Sequence, residues 1–160
     1  MIRTILLSAA TAALMVLSAA PAFAGPTETA FLQKLGASWT GKGKLTGAQT
    51  GQVSCRIVIT AKGQSAKYQG RCTIPDLAAQ AFNGSITYND KLKRYESRTM
   101  NGVVPGIKRG SSLVFTDSRR SMQGTSYSQM TISASSLVVT FTLVDKDGEK
   151  TKSTVSFTKS

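Results

Sequence analysis

The sequence predicts an all-β chain: an antiparallel up-and-down meander of about eight to ten strands closed into a small barrel, with a short N-terminal helix. Three observations carry this. Short apolar/polar alternations recur between turn signals; two hairpins each fix their own register; and nothing after residue 24 has the length and period of a long helix.

The chain opens with Met1-Ile2-Arg3-Thr4, an apolar run to Ala20, and Pro21-Ala22-Phe23-Ala24. A basic start, a hydrophobic core and a small-x-small tripeptide read as a secretory signal peptide over residues 1–24, cleaved near Ala24. Ser8, Thr11 and Ser18 interrupt the run, which argues against a membrane anchor, and no cysteine follows the cleavage site to take a lipid. The expectation is a periplasmic or secreted protein whose single barrel domain spans residues 25–160.

Pro26-Thr27 opens the helix, with Thr27 as N-cap, Phe31, Leu32 and Leu35 as its apolar stripe and Gly36 as its stop. Ser38 to Leu45 alternates around Trp39 between glycines and reads as a bent first strand. The best-determined stretch follows. From Val53 to Thr60 the residues Val53, Cys55, Ile57 and Ile59 share one face; from Ala66 to Ile74, so do Ala66, Tyr68, Gly70, Cys72 and Ile74. Gly63-Gln64 between them is a type II′ turn signal, which sets Lys62 opposite Ser65. Counting outward, Cys55 lands opposite Cys72 at a non-hydrogen-bonded pair, where the Cα separation suits a disulfide. Turn and cysteines therefore predict each other. In the chain-entropy picture the bridge contributes about 3 kcal/mol.

Beyond Pro75, Asp76 to Phe82 reads as one or two helical turns capped by Asp76 and closed by Asn83-Gly84. Strands resume at Ser85 to Tyr88 and Lys93 to Met100. Asn101-Gly102 and Pro105-Gly106 mark turns, and Leu113 to Thr116 and Met122 to Ile132 are further strands. In the last hairpin a Lys146-Asp147-Gly148 loop sets Phe141 against Ser153, Val139 against Val155 and Leu137 against Phe157. Outward-facing Arg56, Lys67, Arg71, Lys150 and Lys152 are incompatible with a membrane-spanning barrel.

The chemistry is sparse. There is no histidine, and both cysteines belong to the bridge, so Ser-His-Asp or Cys-His machinery and most transition-metal sites are missing. Asp90, Asp117, Asp145, Asp147 and Glu149 fall in turns or at strand ends and read as solvated. Glu96 reads as a surface ion pair with Arg94 and Arg98, worth under about 1 kcal/mol. The expectation is therefore a protein that is not an enzyme, with no metal and no cofactor. The inward inventory offers a possible cavity lined by Trp39, Ile57, Ile59, Tyr68, Phe141 and Phe157, with gaps left by Ala66, Gly70 and Ser153; Tyr68 needs a polar partner that the facing Ile59 does not provide.

The chain carries 20 Lys and Arg against 8 Asp and Glu, a formal net charge of +12. An exported basic chain meets lipid head groups, envelope polysaccharide or other proteins rather than nucleic acid, and the cations lack the interleaved aromatics of a nucleic-acid platform. Register places Arg56 opposite Arg71 with Lys67 nearby, a possible anion patch. A monomer is expected.

A short N-terminal helix, Gly36-Ala37-Ser38-Trp39 on the first strand and the succession of hairpins resemble the lipocalin-like, calycin-type small barrels over roughly Phe31 to Lys159. Lipocalins carry Gly-x-Trp, one residue shorter. The order Trp39, Cys55-Arg56-Ile57-Val58-Ile59, Cys72 also resembles bacterial periplasmic metalloprotease inhibitors, which are barrels with an interstrand disulfide and an extended arm that enters the protease. The first resemblance implies a carrier of a small apolar ligand or an envelope accessory protein. The second implies a protein-binding module whose arm would be Gly25 to Gly36.

Overall fold

The structure is a computed structural model and describes residues 25–74 and 78–160; the signal segment and the Asp76 cap lie outside the described residues. A nine-residue helix α1 (Pro26–Lys34) precedes ten strands. These are β1 (Ala37–Gly47), β2 (Gly51–Lys62), β3 (Ser65–Ile74), β4 (Ala78–Asn89), β5 (Arg94–Thr99), β6 (Gly102–Arg109), β7 (Ser112–Ser121), β8 (Gly124–Ser133), β9 (Leu137–Asp145) and β10 (Lys150–Lys159). Each pairs antiparallel with the next, and β10 pairs with β1 to close the barrel. The fold is an all-β, lipocalin-like small barrel.

Both self-registered hairpins hold. Lys62 faces Ser65 and Cys55 faces Cys72, with the bridge formed at a Cα separation of 4.0 Å. Gly63 has φ +57° and Gln64 does not share the positive sign, which is the type II′ pattern. In the last hairpin Phe141 faces Ser153, Val139 faces Val155 and Leu137 faces Phe157; Gly148 takes φ +84° and Asp145 N donates to Glu149 O at 3.0 Å.

Four inward aromatic rings lie over glycines directly across the ladder: Phe157 over Gly41, Phe82 over Gly70, Tyr68 over Gly84 and Phe115 over Gly106. At each of these glycines a Cβ would come within 2.5 Å of the ring or its hydroxyl. The rings are laid along the wall instead of pointing to the axis, and the glycines are what allow it. The space that Gly70 was expected to leave is thus taken by Phe82.

Three local readings give way to tertiary structure. Ala78 to Phe82 is strand, not helix: it pairs with β3 from Ile74↔Ala78 to Gly70↔Phe82, and alanine's helix preference is too weak to resist ladder formation. Asn83-Gly84 is consequently mid-strand. Pro105-Gly106 lies inside β6, not in a turn; β6 has no β7 partner at Pro105, so a residue without an N–H can be held there. The helix starts two residues early, with Gly25 as N-cap and Pro26 in the first turn instead of Thr27 as N-cap.

The helix closes one end of the barrel. Leu32 and Leu35 are fully buried, Phe31 meets Tyr95 edge-on at 5.6 Å, and Gln33 Nε2 donates to Gly63 O at 2.6 Å. Among the described residues no helix is long and apolar enough to cross a membrane.

Candidate functional site

The barrel interior has two unlike halves. Under the helix, inward Trp39, Ala66, Ile86, Leu113, Ile132 and Leu137 are at most 1% exposed, so this half is solid core. At the other end Leu45, Val53 and Thr151 on β1, β2 and β10 are still only 6 to 7% exposed, but on the β8–β9 side Met130 and Val139 are only half-buried. Phe141 is 37% exposed although its ladder partners Ser153 and Ser128 place it on the inward face. Ser126 and Ser128 are inward there too; Ser153, across the ladder from Phe141, is also inward, but its hydroxyl is buried and has no hydrogen-bond partner among the described residues.

The cause of the opening is the short β5–β6 hairpin. β4 pairs with β5 only over Ser85 to Asn89, and β6 with β7 only over Gly106 to Arg109. Residues 78–84 of β4 and Thr116 to Ser121 of β7 therefore have no ladder neighbour on that side, and the wall is cut low between them. Arg119, inward on β7, reaches across: Nε donates to Asp117 Oδ2 at 2.5 Å and Nη1 to Asn101 O at 2.6 Å. Asp117, expected to be a solvated strand-end acid, is instead an inward half-buried partner of Arg119.

On the outer side of the same hairpin Glu96 is 2% exposed. It accepts from Arg94 Nε and Nη2 at 3.2 Å, Arg98 Nη2 at 2.8 Å and Asn89 Nδ2 at 3.1 Å. This is a buried clamp, not the exposed ion pair expected. Burial alone would raise the carboxyl pKa, but the hydrogen bonds from Arg94, Arg98 and Asn89 outweigh it and hold it below its ordinary 4.5. As pH falls from about 4.5 toward the lower folded value, the unfolded chain takes up a proton that the folded one refuses, so this contribution to stability is present above that window and lost through it. Denaturant titrations across pH 3 to 7 are expected to show a steeper acid loss for wild type than for Glu96→Gln; parallel curves would remove the clamp from the account.

The six expected cavity residues divide. Trp39, Ile57, Ile59 and Phe157 are core, 0 to 7% exposed. Tyr68 is half-buried, and its hydroxyl pairs with Ser97 Oγ at 3.0 Å; burial raises its phenol despite that bond. The partner comes from β5, two strands away, which pairwise register did not reach. Only Phe141 of the six is substantially exposed. Arg56, Arg71 and Lys67 lie on the outer wall, away from the interior. The site residues that sequence reasoning missed are Phe82, Met130, Asp117, Arg119 and Ser128. Phe82 was hidden by the helix reading, whereas the alternation of Ser126, Ser128, Met130 and Ile132 was open to detection once the β7–β8 turn was placed.

Among the described residues, Trp39 Nε1 and the Tyr95 hydroxyl are buried without a hydrogen-bond partner. Burial first, then Glu28 and Tyr88, push the Tyr95 phenol up to about 12. Among the described residues no group of three or more His, Cys, Asp or Glu could hold a metal.

No family model matches the chain, and neither does any curated protein. Similarity lies in architecture. An S-type phycobiliprotein lyase, CPES, from Guillardia theta superposes with TM-score 0.58 at 9% identity, over 81% of this chain and 90% of that one. Rv2717c from M. tuberculosis superposes with TM-score 0.59 at 12% identity, over 85% and 98%. These place the chain in the lipocalin-like class of barrels by fold alone. They also correct the expectation that it is not an enzyme: a barrel of this architecture is a lyase. Missing histidine therefore does not carry the exclusion, since a barrel can act on what it holds by orienting and shielding it.

Proposed function

We propose that this protein is an exported barrel that takes one small, mainly apolar molecule into the open half of its interior. The observation that carries the reading is Phe141, inward by register yet 37% exposed, beside half-buried Met130 and Val139. An apolar inner wall left accessible to solvent at one end, with a few polar groups at the mouth, is the usual composition of a ligand site. The paired Arg119 and Asp117 supply those polar groups. The signal-like residues 1–24 and the disulfide support export to the periplasm or beyond. The inhibitor alternative needs a free N-terminal arm, and that segment is docked with Leu32 and Leu35 fully buried.

Fluorescence titration of the chain from residue 25 with N-phenyl-1-naphthylamine tests this. Ser128 faces both Phe141 and Asp117 across its two ladders, so Ser128→Trp fills the space between them. Its expected effect is to weaken probe binding by about tenfold or more, a change of about 1.4 kcal/mol, at unchanged melting temperature. Wild type that does not bind, or a variant that binds equally well, would discard the open half as the site.

A further inference from the structure

Charge on the outer wall is segregated. The strands β10, β1, β2, β3 and β4 are consecutive around the barrel, and none of them contains an acidic residue. Their outward positions carry Lys42, Lys44, Arg56, Lys67, Arg71 and Lys152, all exposed, with Arg56 and Arg71 directly opposite each other. None of the six is in an ion pair among the described residues. Like charges facing each other across a ladder weaken the sheet, so stability does not explain the arrangement. Of the eight acids, Glu28 is on the helix, Asp90 in the β4–β5 turn, Glu96 between its arginines, Asp117 inside, and Asp145, Asp147 and Glu149 at the β9–β10 end; Asp76, in the β3–β4 connection, lies outside the described residues.

Two more exposed lysines, Lys62 and Lys150, stand at strand ends, and the remaining outward side chains on this half of the barrel are almost all hydroxyls and amides, such as Thr40, Ser54, Gln69, Asn83 and Thr154; Val58 and two alanines are the exceptions. An open groove of about 640 Å³ runs over it: Thr60, Lys67, Ser85 and Arg98 follow one another across the ladders, Gln69 and Asn83 lie in the next row, and Met100 also lines it.

We infer that this outer wall binds an acidic polysaccharide, its carboxylates or sulfates on the cations and its hydroxyls on the amides and hydroxyls of the groove. Three features select that polyanion. A flat bilayer touches a convex wall along one or two strands only, whereas these cations spread over half the circumference; the outward positions of the five strands carry no apolar side chain larger than Val58, and Met100, at one edge of the groove, is a single residue and not the broad apolar face that enters lipid. Single-stranded nucleic acid needs aromatic platforms, and no aromatic points outward from these strands. Duplex DNA is too stiff to follow so tight a curve. A flexible acidic glycan follows the wall, and it meets both charge and hydrogen-bonding groups as it does. The inference is independent of what the interior holds.

Binding of the chain from residue 25 to immobilised polygalacturonate and heparin, with dextran as the neutral control, tests it. Lys67→Glu with Arg71→Glu is expected to lose about tenfold or more in affinity, and Arg109→Glu with Arg120→Glu, an equal change of charge on the outer faces of β6 and β7, to lose much less; salt weakens both, as screening requires. Gln69→Ala with Asn83→Ala is expected to weaken binding to polygalacturonate by several-fold, at unchanged salt dependence. Melting temperatures confirm that each variant folds. Equal losses from the two charge-reversed variants, or no effect of the amide pair, would reduce the wall to a general ion exchanger and overturn the inference. So would tighter binding to phosphatidylglycerol vesicles or to DNA, or no binding to either acidic glycan at low salt.

Discussion

Gly41→Val is expected to destabilise the barrel by about 1 to 3 kcal/mol, the reverse of what strand preference alone dictates. In an ordinary strand interior, replacing glycine by a β-branched residue removes backbone freedom from the unfolded chain and stabilises by up to about 1 kcal/mol. Here the Phe157 ring occupies the place of the missing side chain: a Cβ at Gly41 would stand 2.5 Å from Phe157 Cδ1, and no other residue approaches it as closely. Phe157 is 7% exposed, so the ring cannot swing out to solvent and is pushed from the wall toward the packed axis. Equilibrium denaturation of Gly41→Val, Phe157→Leu and the pair measures this as a cycle. The double variant is expected to recover a large part of the loss, because the two residues share one volume. A Gly41→Val protein more stable than wild type would show that the ring does not depend on the glycine.

The same pairing explains which parts of the fold could be read from the sequence. The register of Cys55 with Cys72 was legible because a turn signal, a period of two and a cysteine pair all bear on it within a stretch of twenty or so residues, and the Phe141-to-Ser153 hairpin was legible for the same reason. Gly70, Gly84 and Gly106 were not, because their meaning depends on a ring from the neighbouring strand. Read locally, Gly70 is a gap and Gly84 and Gly106 are turn residues; read across the ladder, they are seats for Phe82, Tyr68 and Phe115. Glu96 was misjudged in a related way. Its two arginines are visible at alternate positions, but its burial comes from Asn89 on β4 and the folding of both guanidinium groups over it. The candidate site suffered most. Its opening is set by how far β5 and β6 fall short of β4 and β7, and strand length is the property that alternation specifies least.

Leu32→Ala and Leu35→Ala are each expected to destabilise the whole barrel by about 2 to 5 kcal/mol, the range for emptying a fully buried leucine site. A nine-residue helix has almost no stability of its own in water, so α1 exists because its leucines fill the end of the barrel above Trp39, Ile59 and Ala66. Two further contacts orient it: Phe31 lies edge-on to Tyr95 and beneath Lys108 Nζ at 5.1 Å, and Gln33 holds the Gly63 carbonyl of the β2–β3 turn. These are weaker than the two leucines. An arm built to leave the barrel and enter a partner would instead tolerate both substitutions with changes within about 0.5 kcal/mol, as surface positions do. Hydrogen exchange separates local from global loss. If the helix is a plug whose packing completes the core, amides of β1 and β3 near Trp39 and Ala66 lose protection together with those of α1 in the Leu35→Ala protein. If only the helix amides exchange faster and the barrel midpoint in urea is unmoved, α1 is a detachable segment, and the barrel is a vessel that closes at this end without it.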